Sequence, residues 1–281
     1  MPALPAVVLA LVVGWLWPPP DAWYQSAILV LSALAPDLDR AVGAFSSRAA
    51  AATWRGRSHS IPALALWAGA IAIGFHAVDP HPGLGTAALL ASMGVGVHAL
   101  VDLASPAGLA LFGRRRLGFA VLAPQDVVLV ACPVLTLGLG LAWEAARLPL
   151  AVATCLLVVY WVGLRLSMRR RALAIAREAL GREPEGTFPT PWNPFRWIAV
   201  APDGDARLVL PIDVAKKKAG DPRRFAAPRS GPIVDALAST GALLGTDGRW
   251  TLDLRYAYRW PVPVAGLEHD ESGAVVTVRL P

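Results

Sequence analysis

Apolar residues dominate the first two thirds of the chain in long runs, and polar positions fall between those runs or at their ends. The first run covers Ala3 to Trp17 and stops at Pro18-Pro19-Pro20; the second covers Ala22 to Ala35. Both are short for a full crossing and suit a tight or partly re-entrant hairpin. No Lys or Arg precedes the first run and no small-residue cleavage site follows it, so it reads as membrane-embedded and not as a signal peptide. A polar loop from Pro36 to His59 carries Asp37, Asp39, Arg40, Arg48, Arg55 and Arg57. The third run, Ser60 to Val78, and the fourth, Leu84 to about Ala104, are joined by Asp79-Pro80-His81-Pro82-Gly83. After Arg114-Arg115-Arg116, a fifth run extends from near Asp126 to Trp143. The sixth, Leu148 to Met168, leads into Arg169-Arg170-Arg171 and an amphipathic stretch ending at Gly181. The pattern predicts an all-α polytopic membrane domain of about six transmembrane helices over residues 1–181.

From Gly186 the pattern shifts to polar loops, prolines and short alternating segments. Trp197 to Val200, Ala206 to Ile212, Trp250 to Tyr258 and Ala274 to Leu280 read as strands, and Pro232 to Leu244 as a helix. Residues 186–281 are therefore expected to form a small soluble α+β domain on the cytoplasmic side.

Composition supports the membrane reading: 55% of residues are hydrophobic and only 16% charged. The net charge of +6 does not indicate a nucleic-acid partner, because the basic residues cluster at the ends of apolar runs instead of forming one basic face. Cys132 and Cys155 both lie in apolar runs, without disulfide or metal-ligand spacing. Lys and Arg mark the cytoplasmic side, and they sit in the loops after runs two and four and after run six; the opposite loops contain only Arg147. The consistent topology is a multi-pass inner-membrane protein with both termini cytoplasmic and with membrane lipids as its surroundings.

Against this background, His98 and Asp102 stand out: an imidazole and a carboxylate four residues apart, on one helical face of an otherwise apolar run. Topology supplies partners. Asp37 and Asp39 follow run two, His59 precedes run three and Asp126 opens run five, all at the depth and on the side of His98 and Asp102. Crowded carboxylates repel, and a cation resolves the repulsion. Imidazole with carboxylate suits Zn, Mn or Fe, as one or two divalent ions, and a two-metal site would clamp an oxyanion and activate water. The metal ligands expected are Asp37, Asp39, His59, His98, Asp102 and Asp126, although Asp126 equally suits a helix cap. A spare carboxylate, Asp37 or Asp39, would act as general base, and Arg55 and Arg57 would grip a phosphate or serve only as topology signals. A site at the lipid interface suggests an amphiphilic substrate. Gly94 and Gly96 are read as permitting close helix approach, and His76 and His81 as interfacial or loop residues of the opposite side.

Three ordered stretches carry a family resemblance: Ala35-Pro36-Asp37-Leu38-Asp39, then Arg55-Gly56-Arg57-Ser58-His59-Ser60, then His98-Ala99-Leu100-Val101-Asp102 followed by Ser105-Pro106-Ala107-Gly108. They resemble the PDxD, HRGxTHS and HxxxDxxTxxG motifs of the LexA-regulated, membrane-bound metal-dependent hydrolase family. Pro124-Gln125-Asp126 is similar to an acidic element that opens a later helix there. The resemblance covers roughly residues 25 to 130, and the stretch Phe188 to Pro194 is similar to a tail carried by some members. It implies a membrane-bound hydrolase with a divalent metal, to which the topology adds action from the cytoplasmic face and the interfacial site an amphiphilic phosphoester as substrate. The chain departs from the pattern at Trp54, which replaces the first His of the second motif, at Ser105, which keeps the hydroxyl of the usual Thr, and in lacking an early His. The alternative these departures raise is a catalytically decayed membrane scaffold or sensor whose tail domain binds a protein partner.

Overall fold

Three helical stretches are long and apolar enough to cross a membrane: Ile61–Val78, Leu84–Ala104 and Glu144–Leu180. The computed structural model describes residues 3–16, 23–38, 58–81, 83–106, 108–110, 116–123, 126–191, 193–228, 242–247, 250–259, 266–269 and 275–279, with Val234 and Ala238. Its helical part comprises α1 (Ala3–Gly14), α2 (Trp23–Leu34), α3 (Ile61–Val78), α4 (Leu84–Ala104), α5 (Val127–Ala142) and α6 (Arg147–Leu180). The expectation of about six membrane spans is thus corrected. At 1.5 Å per residue, the 12-residue α1 and α2 reach only about 18 Å and the 16-residue α5 about 24 Å, against a hydrocarbon core of about 30 Å. Apolar runs in the sequence counted segments but not their helical length. Leu66, Ile73, Leu135, Leu139, Leu156 and Val159 are each more than half exposed, an outward apolar surface on α3, α5 and α6 of the kind that lipid covers.

The tightest helix contact joins α4 to α2. A Cβ built on Gly94 would lie 2.0 Å from Ser32 Oγ and 2.7 Å from the Leu29 carbonyl oxygen, so only glycine allows this approach. Buried Ser32 is satisfied within its own helix, donating its hydroxyl to the Ile28 carbonyl at 2.6 Å. Gly96 has no such role, because nothing lies within 4 Å of a Cβ placed there. Around this contact Ile28, Leu29, Leu64, Ala68, Leu90 and Val95 form the core of the α2–α3–α4 unit. The buried hydroxyls of Thr136 on α5 and Thr154 on α6 meet in a hydrogen bond.

Beyond the helices the chain is strand-rich. β3 (Gly186–Pro189), β4 (Arg196–Asp203), β5 (Ala206–Asp213) and β6 (Lys218–Ala219) form one antiparallel sheet in sequence order, with β7 (Arg223–Phe225) also pairing β5; a small hairpin, β1 (Leu109–Ala110) with β2 (Arg116–Leu117), precedes them. A second sheet has the order β11 (Val275–Arg279), β10 (Gly266–His269), β9 (Trp250–Asp253), β8 (Leu244–Thr246). The segment expected to be strand over Trp250 to Tyr258 stops at Asp253, whose carboxylate accepts from the Arg255 backbone N–H and bends the chain into a 3-10 turn. The helix expected over Pro232 to Leu244 lies outside the described residues apart from Val234, Ala238 and its last residues, of which Leu244 opens β8.

Alternation along β4 and β5 divides the first sheet between two cores. Trp197, Ala199, Leu210 and Ile212 pack with Met168, Ala172 and Ala176 on the last turns of α6. Ile198, Val200 and Val209 face the other way and pack with Ala120, Phe225, Leu252 and Leu254. One continuous 34-residue helix therefore contributes first to the apolar bundle and then to the sheet.

If the α2–α4 approach requires glycine, Gly94→Ala lowers stability by about 1–3 kcal/mol, as overpacking does. Adding Ser32→Ala restores only part of it, since the Leu29 carbonyl remains in the way. Gly96→Ala stays within about 0.5 kcal/mol of the unchanged protein. Thermal unfolding of the three variants in one detergent checks this.

Candidate metal centre

Three chain segments end or begin beside one another at one end of the α2–α3–α4 unit. Asp37 lies in the 3-10 turn Ala35–Leu38 that follows α2 directly; its Pro36 cannot continue the hydrogen-bond ladder of the helix. His59 immediately precedes α3, whose N-cap is Ser60 and not Ser58, with Pro62 in the first turn. His98 and Asp102 occupy the last two turns of α4, on the face that begins at Gly94. All four side chains are shielded from water: Asp37 is 8% exposed, His59 4%, His98 1% and Asp102 4%.

Hydrogen bonds fix how the two imidazoles point. His98 Nδ1 lies 2.8 Å from the Ala33 carbonyl oxygen. A carbonyl only accepts, so Nδ1 carries the proton, and in the neutral ring Nε2 keeps its lone pair. His59 Nδ1 lies 2.5 Å from Asp102 Oδ2, which makes the same assignment for the second ring and leaves its Nε2 as an acceptor. That Nε2 lies 3.7 Å from Asp37 Oδ1, and His98 Nε2 lies 3.4 Å from Asp102 Oδ2. The two rings are 5.1 Å apart between centroids.

Asp37, His59 and His98 each offer one ligand atom, and these atoms all lie within 4.8 Å of one another. Bond lengths of about 2.0–2.1 Å imply ligand separations of roughly 3.3–4.2 Å, so the group needs only a small closure around an ion. The donor set, two imidazole nitrogens and a carboxylate oxygen, matches Zn, Mn or Fe. Asp102 stands behind His59 as the carboxylate that orients it, an arrangement that also raises the basicity of the ring.

Asp39, Trp54, Arg55 and Arg57 lie outside the described residues. Asp126 has different partners from the histidines. It caps α5 by accepting from the Val128 N–H at 3.1 Å, accepts from Trp161 Nε1 at 2.9 Å and lies 3.5 Å from Arg165 Nη2. Arg165 is 1% exposed and donates to the carbonyls of Val121 at 3.1 Å and Thr190 at 3.0 Å. Its guanidinium also lies over the rings of Trp161 and Trp197. The sequence carried a signal for Arg165 that the topology argument passed over: a lone cation inside the sixth apolar run, where ionisable side chains are costly.

The rest of the third motif has a local explanation. Ser105 Oγ donates to the Asp102 carbonyl at 2.9 Å, closing the end of α4. Gly108 adopts a positive φ of 67°, and a Cβ there would lie 2.7 Å from the Leu117 carbonyl oxygen, so the turn into β1 requires glycine. Between them the Pro106 carbonyl accepts from Arg255 Nη1 at 3.0 Å, and Arg255 is itself held by the Asp253 carboxylate. The strand-rich region thus grips the loop leaving the candidate centre.

A family model described as "YdjM inner membrane protein" matches residues 3–172, more than half of the 281-residue chain, and the chain belongs to that family. No curated protein and no solved structure matches it.

The Asp126–Arg165 contact is expected to be energetically coupled. Asp126→Ala leaves a buried guanidinium without its countercharge, at a cost on the order of 3–5 kcal/mol. A double-mutant cycle with Arg165→Leu then yields an interaction of about 0.5–3 kcal/mol in thermal or chemical unfolding, instead of additive losses.

Proposed function

From membership in an inner-membrane family, we propose that this chain is a membrane-bound, multi-pass, metal-dependent hydrolase acting from the cytoplasmic face on an amphiphilic phosphoester. One observation carries the reading: buried Asp37, His59 and His98 bring a carboxylate oxygen and two imidazole nitrogens within 4.8 Å of one another. Costly polar groups at the end of apolar helices are the signature of a functional site, and this set has the chemistry of a divalent-cation ligand group. The basic residues of the polar loops favour a cytoplasmic position for the ends of α2 and α4 and the start of α3, the end of the unit that carries the site.

Asp37, His59 and His98 would hold the ion, with Asp102 fixing His59 through Nδ1 and the Ala33 carbonyl fixing His98 in the same way. Asp39 is the further ligand or the general base that takes the proton from the attacking water. A bound divalent cation supplies Lewis acidity toward a phosphoryl oxygen and eases deprotonation of water. Arg55 and Arg57, next to His59 in sequence, would hold the non-bridging oxygens by paired hydrogen bonds while water adds to phosphorus and the ester P–O bond breaks, the proton taken from the water passing to the leaving oxygen. Burial at a helix end beside the lipid surface favours a substrate with an apolar tail and a polar reacting group.

Two readouts separate binding from turnover. Purified protein, stripped of metal and reloaded with Zn, Mn or Fe, is expected to retain the ion stoichiometrically by elemental analysis. Asp37→Ala, His59→Ala and His98→Ala lose it, and Asp102→Asn weakens metal affinity by about 10–100-fold. Arg55→Ala keeps the metal and loses phosphoester hydrolysis. Unchanged metal content in His98→Ala sinks the proposal, and retained metal without hydrolysis of any phosphoester points to the decayed scaffold that Trp54 suggests.

A further inference from the structure

The strand-rich region and the end of α6 carry many cations, and several of those described are neutralised by neighbours. Arg177 pairs with Glu183, Arg182 and Arg224 with Asp203, and Arg207 with Glu185. Four others converge on one place. Arg196 on β4, Lys216 in the turn after β5, Lys218 on β6 and Arg223 on β7 line one open cleft of about 420 Å³, and none of them forms an ion pair among the described residues.

Register explains the convergence. Asp213 is paired across the sheet with Arg196 on one side and Lys218 on the other, so the three side chains project from one face in a row. Arg223 is paired with Val209, which lies on the same face four residues before Asp213. Asp213 is the single carboxylate of the cleft, and it already accepts the Lys216 backbone N–H at 3.0 Å. Phe225 and Pro211 add apolar wall between the cations. A concave site of this size, with an apolar wall and several converging cations, has the form of a small-ligand site and not of a solvated basic surface.

The cleft also has a fixed relation to the apolar bundle. Thr190 and Trp197 line it, and both are held by Arg165, the buried cation of α6: Thr190 through its carbonyl and Trp197 through its ring. Its cations project from the sheet face that carries Ile198 and Val209, opposite the face packed on α6.

We propose that this cleft is a second binding site, separate from the metal centre, that takes a phosphate-bearing anion through Arg196, Lys216, Lys218 and Arg223. Arginine and lysine together supply bidentate and point-charge contacts to phosphoryl oxygens. The phosphate comes either from an anionic lipid headgroup or from a soluble phosphate.

Calorimetric titration of the full chain in a neutral detergent tests the site, with inorganic phosphate, dihexanoyl phosphatidic acid and dihexanoyl phosphatidylcholine as probes. Saturable binding of phosphatidic acid is expected, weakened at least about tenfold by Lys216→Gln with Lys218→Gln, while phosphatidylcholine binds at least about tenfold more weakly than phosphatidic acid. Lys217→Gln removes the same charge one position outside the cleft and changes affinity less than about twofold. Phosphatidic acid binding tighter than inorganic phosphate identifies the lipid headgroup as the source; equal affinity identifies the free phosphate. The site persists in His98→Ala, which separates it from any phosphate held at the metal centre. The proposal is overturned if neither phosphate nor phosphatidic acid saturates, if Lys217→Gln weakens binding as much as the cleft variants, or if His98→Ala abolishes it.

Discussion

A missing side chain sets the geometry of the candidate centre. Because Gly94 lets α4 meet the backbone of α2 at Leu29 and Ser32, the next turn of α4 brings His98 to the Ala33 carbonyl, and the turn after that brings Asp102 to His59. Each step is one helical turn along a single face. The contact is apolar and steric, yet its product is electrostatic: a carbonyl and a carboxylate accept from the two Nδ1 N–H groups and leave two Nε2 lone pairs, one 3.7 Å from Asp37 and the other 3.4 Å from Asp102. Packing at one height thus fixes tautomers two turns away, without any hydrogen bond linking Gly94 to the site.

How much of this the sequence disclosed depends on the kind of coordinate in question. Depth was legible: the ends of apolar runs gave the level of Asp37, His59, His98 and Asp102, and the four-residue spacing gave the shared face of the last two. Direction around the bundle was not. Asp126 stands at a similar position in its run, but its side chain turns to Trp161 and Arg165, because nothing in a hydropathy pattern states which neighbour α5 faces. Nor does spacing say which ring Asp102 meets; in space its Oδ2 bonds His59 Nδ1. Gly94 and Gly96 looked equivalent for a similar reason; two residues along a helix is a rotation of about 200°, so only one can face α2. The strands at Ala206 to Ile212 and around Trp197 were readable from alternation, whereas short strands such as β3 and β8 owe their form to pairing partners distant in sequence.

Two buried arginines join the strand-rich region to the bundle by a common device. Arg165 reaches out of α6 to the carbonyl of Thr190, and Arg255 reaches back to the carbonyl of Pro106 beside the end of α4. Each is balanced by a carboxylate, Asp126 for one and Asp253 for the other. Carbonyl acceptors are insensitive to side-chain identity, so such contacts fix the chain's path more than its composition. The loop that closes the motif bearing His98 and Asp102 is consequently held from outside the bundle.

The unbroken helix from Arg147 to Leu180 has a further implication. Its first part lies among apolar helices and its last turns form the floor of the sheet, with Met168, Ala172 and Ala176 as the seam. A rod shared by two layers acts as a phase lock. Each residue inserted or deleted between Arg165 and Met168 would rotate the sheet by about 100° relative to the bundle and shift it by about 1.5 Å. The clamps at Thr190 and Pro106 could then no longer both close. Length variation in this stretch is therefore confined to near-whole turns, and the angle between sheet and bundle is written into the number of residues in α6 as much as into their identity.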